Sequence, residues 1–295
     1  MKRILISGLV NTETTVPVRR FPVEYYPIDY PFFGVNTAVS GVAFNIARAL
    51  QTLGDDVTLL SMIGDDFSGA YVRDVLKTCG ICTEYVHGRL NQTPSSVVLY
   101  DAAGKRQIYC DLKDIQETAY PLEDRVLENV DLVVACNINF NRPLLQKAKS
   151  IGKIIATDVH VLGDVRDGYN RDFLEAADIL FLSDEALGED YKAFLLELAA
   201  CYPSKIIVLG RGSQGTAMYL REEGMVHTFP AAHVGPVVNT VGAGDALFSA
   251  FVHYYAAGMR PVDALRRAQV FAAAKIRVSG AAKGFIREEE VERWL

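Results

Sequence analysis

The chain has 295 residues, of which 50% are hydrophobic and 22% are charged. This length and composition support a large buried core and exclude a disordered protein. The net charge of −6, without a stripe of lysine and arginine, argues against a nucleic-acid groove. No run approaches the ~20 apolar residues of a membrane span, and Ile4-Leu5-Ile6 is too short for a signal peptide. We therefore expect a cytoplasmic protein.

Cysteine and histidine are too scattered to predict a metal centre. Cys79 and Cys82 form a close pair, but no second pair or histidine cluster completes a set of four ligands. We expect reduced, structural thiols.

The first segments alternate between strand and loop patterns. Arg3 to Ser7 predicts a buried strand, after which Gly8 opens a loop that carries Asn11-Thr12-Glu13. From Thr14 to Ser40 the chain is rich in β-branched residues and is interrupted by prolines, which are excluded from central strands. Edge strands or a projecting sheet are therefore predicted there.

The same segment is unusually aromatic. Its aromatic residues are Phe21, Tyr25, Tyr26, Tyr30, Phe32 and Phe33. This apolar area must be covered, either by packing between two subunits of a homodimer or by a ligand such as a stacked nucleobase. Both interpretations remain open from the sequence.

A helix is predicted after Ser40-Gly41, and Gly54 ends it. Asn45 lies in an otherwise apolar turn of that helix, where an amide needs a polar partner, so a binding site is favoured. A strand over Val57 to Ser61 follows, and then the turn Gly64-Asp65-Asp66, which we interpret as structural.

The second half alternates strands and helices. A hairpin from Ser95 to Cys110, turning at residues 101–104, precedes it. Beyond Pro121, strands are predicted at Leu132–Cys136, Lys153–Thr157, Ile179–Leu182 and Ile206–Leu209, with helices at Pro143–Ser150, Arg171–Ala177, Asp190–Ala200 and Pro261–Val278. This order predicts a parallel sheet covered on both faces. Ligands of such sheets bind where strands end, which selects as candidates Asn137, Asn139, Asp158, Ser183 and Gly212.

The stretch Asn239-Thr240-Val241-Gly242-Ala243-Gly244-Asp245 carries the strongest chemical signal. Val237 and Val238 end an extended run, and helical spacing of apolar residues predicts a helix that begins near Ala243. The first turn of a helix offers free N–H groups and the positive end of its dipole, so it binds anions. Asp245 in the same turn could accept a proton from an attacking hydroxyl.

Thr-x-Gly-Ala-Gly-Asp before a helix rich in alanine and phenylalanine resembles the C-terminal signature of the ribokinase-like (PfkB) carbohydrate kinase family. Gly41 and Asn45 fit that family's Gly-Gly-x-x-x-Asn-x-Ala pattern, with Ser40 at the first glycine. The resemblance implies an α/β fold, a three-layer α/β/α sandwich with a mostly parallel central sheet and a small β-sheet lid. It also implies one domain over residues 1–295, with lid segments at approximately 12–40 and 91–112, and a homodimer formed through the lid.

The resemblance further implies an ATP-dependent kinase that transfers the γ-phosphoryl group to a primary hydroxyl of a sugar, or alternatively of a nucleoside. Asp245 would be the base, and the amides of Gly242, Ala243 and Gly244 would stabilise the migrating charge. The acceptor would be bound by Asn11, Glu13, Gly41 and Asn45. The nucleotide would be bound by Ser183, Arg211, Gly212, Gly215 and Thr240.

Three departures from the family pattern concern its ions and its acceptor. Glu13 stands where the family has aspartate, and Ser183-Asp184-Glu185-Ala186 replaces Asn-x-x-Glu, so the Mg²⁺ ligand would be Asp184 or Glu185. Asn239 replaces an aspartate that, with the loop at Ser279-Gly280-Ala281, forms a potassium site in many relatives, and this weakens the case for potassium activation. These departures also leave open a catalytically weak sensor that binds a sugar or nucleoside.

Overall fold

A large mostly parallel sheet and a smaller second sheet organise the chain, and the computed structural model describes residues 1–102 and 104–295. In chain order the strands are β1 (Arg3–Ser7), β2 (Asn11–Pro17), β3 (Asn36–Ser40), β4 (Asp56–Gly64), β5 (Val86–Leu90), β6 (Ser95–Tyr100), β7 (Arg106–Asp111), β8 (Leu132–Ala135), β9 (Ile154–Val161), β10 (Ile179–Ser183), β11 (Ile206–Gly210), β12 (Thr216–Leu220) and β13 (Met225–Phe229). The helices are α1 (Val42–Thr52), α2 (Phe67–Thr78), α3 (Arg142–Ser150), α4 (Arg171–Ala176), α5 (Tyr191–Cys201), α6 (Ala243–Ala256), α7 (Pro261–Lys275) and α8 (Glu288–Glu292).

The large sheet has the strand order β13-β12-β11-β10-β9-β8-β1-β4-β5. The pairs from β11 through to β5 are parallel, whereas β12 and β13 add an antiparallel edge. Alternate residues of β1 enter opposite layers: Ile4 and Ile6 pack with α1, α6 and α7, and Leu5 packs with α3, α4 and α5. Helices therefore cover both faces of the sheet, and the predicted α/β/α sandwich is confirmed. A parallel strand that is buried in this way is apolar on both faces.

The second sheet has the strand order β3-β2-β6-β7, and we call it the small sheet. Its strands lie inside the two segments that the sequence assigned to a lid, and its role as a lid stays a prediction. Strand β2 pairs in antiparallel register with β3 and in parallel register with β6. The predicted hairpin is formed by β6 and β7. Its turn includes residue 103, which lies outside the described residues.

Four local expectations need correction. Asn11-Thr12-Glu13 is the start of β2 and not a loop, because it pairs with both Ser40 and the β6 strand. No strand is found at Val237 and Val238, where the N–H group of Val238 instead donates to the Ile276 carbonyl at 2.9 Å. Helix α7 ends at Lys275, short of the expected Val278. Residues 18–35 form neither a helix nor a strand.

Asp66 connects the large sheet to the small one. It precedes α2 as its N-cap, and its Oδ1 accepts from the N–H group of Gly69 at 2.7 Å and from the hydroxyl of Thr93 at 2.6 Å. Its Oδ2 accepts from the N–H group of Thr93 at 2.8 Å. Thr93 stands two residues before β6, so one carboxylate fixes both a helix start and the entry to the small sheet. This geometry agrees with the structural interpretation of the turn.

We expect Asp66→Ala to lower the free energy of unfolding by about 1–3 kcal/mol, since it removes a helix cap and leaves buried donors unpaired. The measurement is urea unfolding followed by circular dichroism. Asp65→Ala is the matched control, because that neighbouring carboxylate is largely exposed and forms a loose ion pair with Arg73, at 3.7 Å. Its effect should stay within about 0.5 kcal/mol. Equal losses in the two variants would contradict the assignment.

Candidate active site

Asp245 lies in the first turn of α6, as the spacing of apolar residues predicted. Gly242 precedes the helix with φ 78° and ψ 10°, a left-handed conformation that favours glycine. A Cβ atom at Gly242 would approach the carbonyl oxygen of Ala281 to 2.7 Å, whereas one at Gly244 would meet nothing within 4 Å. The loop is therefore closely packed behind Gly242 and open beside Gly244.

Only some of the backbone N–H groups in this turn donate hydrogen bonds within the described residues. The N–H group of Ala243 donates to the Thr240 carbonyl at 3.1 Å, and that of Ala246 donates to the Gly242 carbonyl at 3.0 Å. The N–H groups of Gly244 and Asp245 donate to no backbone carbonyl within the described residues. Free N–H groups at the start of a 14-residue helix suit an anion. Gly244 is therefore a better anion donor in this structure than Ala243.

Asn45 reaches Asp245 across 200 residues of sequence. Its amide Nδ2 donates to Asp245 Oδ2 at 2.7 Å, while its Oδ1 is buried without a hydrogen-bond partner among the described residues. Asn45 is positioned by α1, which begins directly after Gly41. The start of this helix packs tightly against the backbone of Leu9, because a Cβ atom at Gly41, where φ is 102°, would lie 2.5 Å from the Leu9 carbonyl oxygen. The partner required by an amide in an apolar turn is thus the predicted base itself.

Asn11 and Glu13 lie on one face of β2, because they are two residues apart in a strand. Asn11 Nδ2 donates to Ser96 Oγ at 3.1 Å, and its Oδ1 has no partner in the described parts of the chain. Glu13 accepts from Ser40 Oγ at 3.4 Å. Two unpaired amide oxygens and a carboxylate offer acceptors to the hydroxyl groups of a polyol.

The charged groups at the site shift one another. Burial raises the pKa of Asp245, and Asp158 acts in the same direction, against the Asn45 hydrogen bond and the charges of His160 and Lys275. Burial also raises the pKa of Glu13, where the Ser40 hydrogen bond opposes it and the charge of Asp245 reinforces it. A carboxylate with a raised pKa is a stronger base than an ordinary aspartate, which suits proton abstraction.

Arg211 organises the turn that the sequence assigned to the nucleotide. Its guanidinium lies 3.9 Å from the centre of the Tyr191 ring, it donates to the Gln214 side chain, and its Nε is 3.8 Å from Asp184 Oδ2. Gly212 and Gly215 both have positive φ, and a Cβ atom at Gly215 would be 2.1 Å from the Phe229 carbonyl oxygen. Ser183 ends β10, and its Oγ accepts from the N–H group of Glu185 at 3.4 Å.

A magnesium site made of protein ligands alone is not found among the described residues, since no group of three or more His, Cys, Asp or Glu side chains converges. Mg²⁺ is commonly held by one or two carboxylates together with phosphate oxygens and water. Asp184 fits such a partial site, because it is half-buried beside Arg211, whereas Glu185 is exposed. When bound there, Mg²⁺ would neutralise phosphate charge.

The structure separates the candidates at strand ends. Asp158 lies within β9 and not beyond its end, because the strand continues to Val161. Its charge raises the pKa of Asp245, so it belongs to the site. Asn137 instead bonds to Asn170 at 3.1 Å, and Asn139 bonds to Gln116. Two further residues, His160 and Lys275, were not predicted from the sequence, and their charges lower the pKa of Asp245. Lys275 could have been found, because it follows Ala264, Ala268 and Phe271 at helical spacing on the buried face.

A cavity of about 300 Å³ lies away from this site. It lies between β2 and residues 18–35 and is lined by Val16, Arg19, Tyr26, Pro31 and Val35 among others. No helix in the described part of the chain is long and apolar enough to cross a membrane.

Comparison with known proteins agrees with the geometry. The model of the pfkB family of carbohydrate kinases matches residues 1–287. An ATP-dependent ribose-1-phosphate kinase of Halopiger xanaduensis is 28% identical over 261 residues, which cover 85% of this chain and 84% of the relative. Other relatives are sugar and nucleoside kinases.

Solved structures share the fold. A microbiome-derived acarbose kinase superposes with a TM-score of 0.90 at 24% identity, over 99% of this chain and 98% of the other. The ribokinase of Arabidopsis thaliana, solved with ribose and ATP, superposes with a TM-score of 0.83 at 21% identity, over 100% and 99% of the two chains. The family match spans nearly the whole chain, so this protein belongs to the PfkB family of carbohydrate kinases, phosphotransferases with an alcohol group as acceptor.

Proposed function

We propose that this kinase transfers the γ-phosphoryl group of ATP to a primary hydroxyl of a sugar, with Asp245 as the base. The observation that carries the proposal is the 2.7 Å hydrogen bond from Asn45 to Asp245. It joins α1, where the unpaired Oδ1 atom of Asn45 suits a hydroxyl group, to α6, where the first turn suits a phosphate. The two reactants would then meet at one carboxylate.

Each residue has a separate task in this mechanism. Asp245, whose anionic form is favoured by the Asn45 hydrogen bond, accepts the proton of the attacking hydroxyl. The free N–H groups at the start of α6 stabilise negative charge on the migrating phosphoryl group. Asn11, Glu13 and Asn45 orient the acceptor, and Arg211 binds the phosphates of the nucleotide. Positioning, more than covalent chemistry, supplies the rate in phosphoryl transfer.

A sugar acceptor is favoured over a nucleoside by the polar atoms of the site. The Oδ1 atoms of Asn11 and Asn45 are both buried without partners in the described residues, and both accept from hydroxyl groups. A nucleoside remains the second candidate because of the exposed aromatic residues of the 18–35 segment, including Phe33, which is fully exposed. A nucleobase could stack on them.

We expect Asp245→Ala to lower kcat by roughly 10²–10⁴-fold with folding intact, since it removes the base without disturbing the core. The measurement is ADP release by a coupled assay, with thermal melting to check the fold. Asp263→Ala is the matched control, because Asp263 is the first-turn acid of α7 and pairs with Arg260 at 2.8 Å. Activity near wild type in Asp245→Ala would remove the residue from this role.

An acceptor panel separates the substrate classes. With ribose, sugar phosphates, uridine, cytidine and adenosine compared at equal concentration, we expect turnover of a sugar-type acceptor at least ~10-fold above that of any nucleoside. Phe33→Ala should leave sugar turnover unchanged, whereas a stacking role would make nucleoside turnover fall. Ligand binding by calorimetry without ADP release from any acceptor would instead support the weak sensor.

The exposed aromatic segment also supports a homodimer through the small sheet. Tyr25, Tyr30, Phe32 and Phe33 are all exposed, and so is every residue of β7. Apolar surface concentrated in this way marks an interface. We expect a dimer by light scattering at micromolar concentration, and a shift to monomer in Tyr25→Glu/Phe33→Glu. Trp294→Glu, at an exposed aromatic residue near the C-terminus, is the control, and a monomeric wild type would contradict the proposal.

A further inference from the structure

Lys275 is a buried lysine that the mechanism above does not use. It ends α7 in an alanine-rich run, its relative exposure is 0%, and its Nζ donates to the backbone carbonyl of Val241. Lysine is almost never fully buried unless it is paired. Burial lowers the pKa of Lys275 to about 8, opposed by the charges of Asp245 and Glu13 and reinforced by Arg106.

The contacted carbonyl belongs to the anion-binding loop. Val241 directly precedes Gly242, and the N–H group of Val241 donates to Asn239 Oδ1 at 2.8 Å. The N–H groups of Val238 and Asn239 both donate to the Ile276 carbonyl, at 2.9 and 3.0 Å. The end of α7 is thus hydrogen-bonded to the loop that precedes α6, and Lys275 adds a positive charge to these contacts.

Stability alone does not account for a lysine at this position. A buried lysine requires an ammonium group to be removed from water, and a single hydrogen bond to the Val241 carbonyl offsets only part of that cost. The charge lies instead where it acts on both carboxylates of the site, since it lowers the pKa of Asp245 and of Glu13. The buried charge of Lys275 contacts the loop that is expected to bind the phosphoryl group. This position indicates a role in the reaction.

We propose that Lys275 is a resident cation of the anion-binding loop, which fixes the Val241 carbonyl, orients the free N–H groups of α6 and offsets charge there. The proposal rests on the kinase function above. Lys275 is a positioning residue, because it acts through the loop and through Asp245. Its ammonium supplies the single positive charge that a bound monovalent cation would otherwise bring to a backbone carbonyl. Turnover should therefore need no added monovalent cation, consistent with a neutral Asn239.

The experiment compares Lys275→Met and Lys275→Ala with Lys283→Met, an exposed lysine of the following loop. In Lys275→Met we expect kcat to fall roughly 10- to 100-fold while the KM for the acceptor changes little, since charge stabilisation in the transition state is lost. The loss of kcat should persist at temperatures well below the melting temperature of Lys275→Met, and Lys283→Met should behave as wild type. A merely structural role predicts lower stability and an unchanged kcat.

Two readouts separate charge from shape. Ammonium, methylammonium or potassium ions should raise the kcat of Lys275→Ala several-fold and leave the wild type unchanged. Below pH 8 the wild-type lysine is protonated, so the wild-type kcat should fall as the pH rises through about 8. Asp245, Glu13 and Arg106 are the charged groups that act on it, and the fall should be absent in Lys275→Met.

Several outcomes would overturn the inference. They are a strong potassium requirement in the wild type, an unchanged kcat in Lys275→Met, or a loss of activity that follows stability and that no cation rescues. If the wild type turns over no acceptor, the proposed function fails, and titration of Mg²⁺ and ADP by calorimetry still decides the role of Lys275. Weaker binding of Mg²⁺ and ADP to Lys275→Met than to Lys283→Met would support the role of Lys275, and equal binding to the two variants would reject it.

Discussion

The contact between Asn45 and Asp245 is the interaction on which the site depends. It requires α1 and α6 to lie side by side, and both helices contribute small buried residues to the same core layer, among them Ala43, Ala47, Ala246 and Ala250. Small side chains allow helix backbones to approach closely, so two polar groups can meet at the end of an otherwise apolar interface. The hydrogen bond is consequently a product of the packing and not of either helix alone.

Charge balance is the second constraint. Burial raises the pKa of both Glu13 and Asp245, and it lowers the pKa of Lys275. Each shift disfavours the charged form, yet each group is also stabilised by an opposite charge nearby. In a region of low dielectric such interactions are stronger than in water, which makes the set of three interdependent. Removing one member would therefore shift the pKa of the others.

Backbone geometry supplies the remaining precision. Gly41 passes the Leu9 carbonyl and Gly242 passes the Ala281 carbonyl so closely that a Cβ atom would collide at either position. Both also have positive φ. These two glycines set the starts of α1 and α6, and hence the positions of Asn45, four residues beyond the first, and Asp245, three residues beyond the second. The open space beside Gly244 then leaves the first turn of α6 accessible.

The sequence determined the elements whose signals are local. Apolar runs identified the parallel strands, and the glycines with helical spacing identified the start of α6 at Ala243. Local signals failed at Val237 and Val238, where the Ile276 carbonyl holds the chain outside any strand, and at β12 and β13, which pair as a hairpin at the sheet edge. Only the tertiary structure decided which side chains meet, because Asn45 and Lys275 reach residues 241–245 from 200 and 34 positions away. No periodicity reports such pairs, since they depend on how whole layers pack.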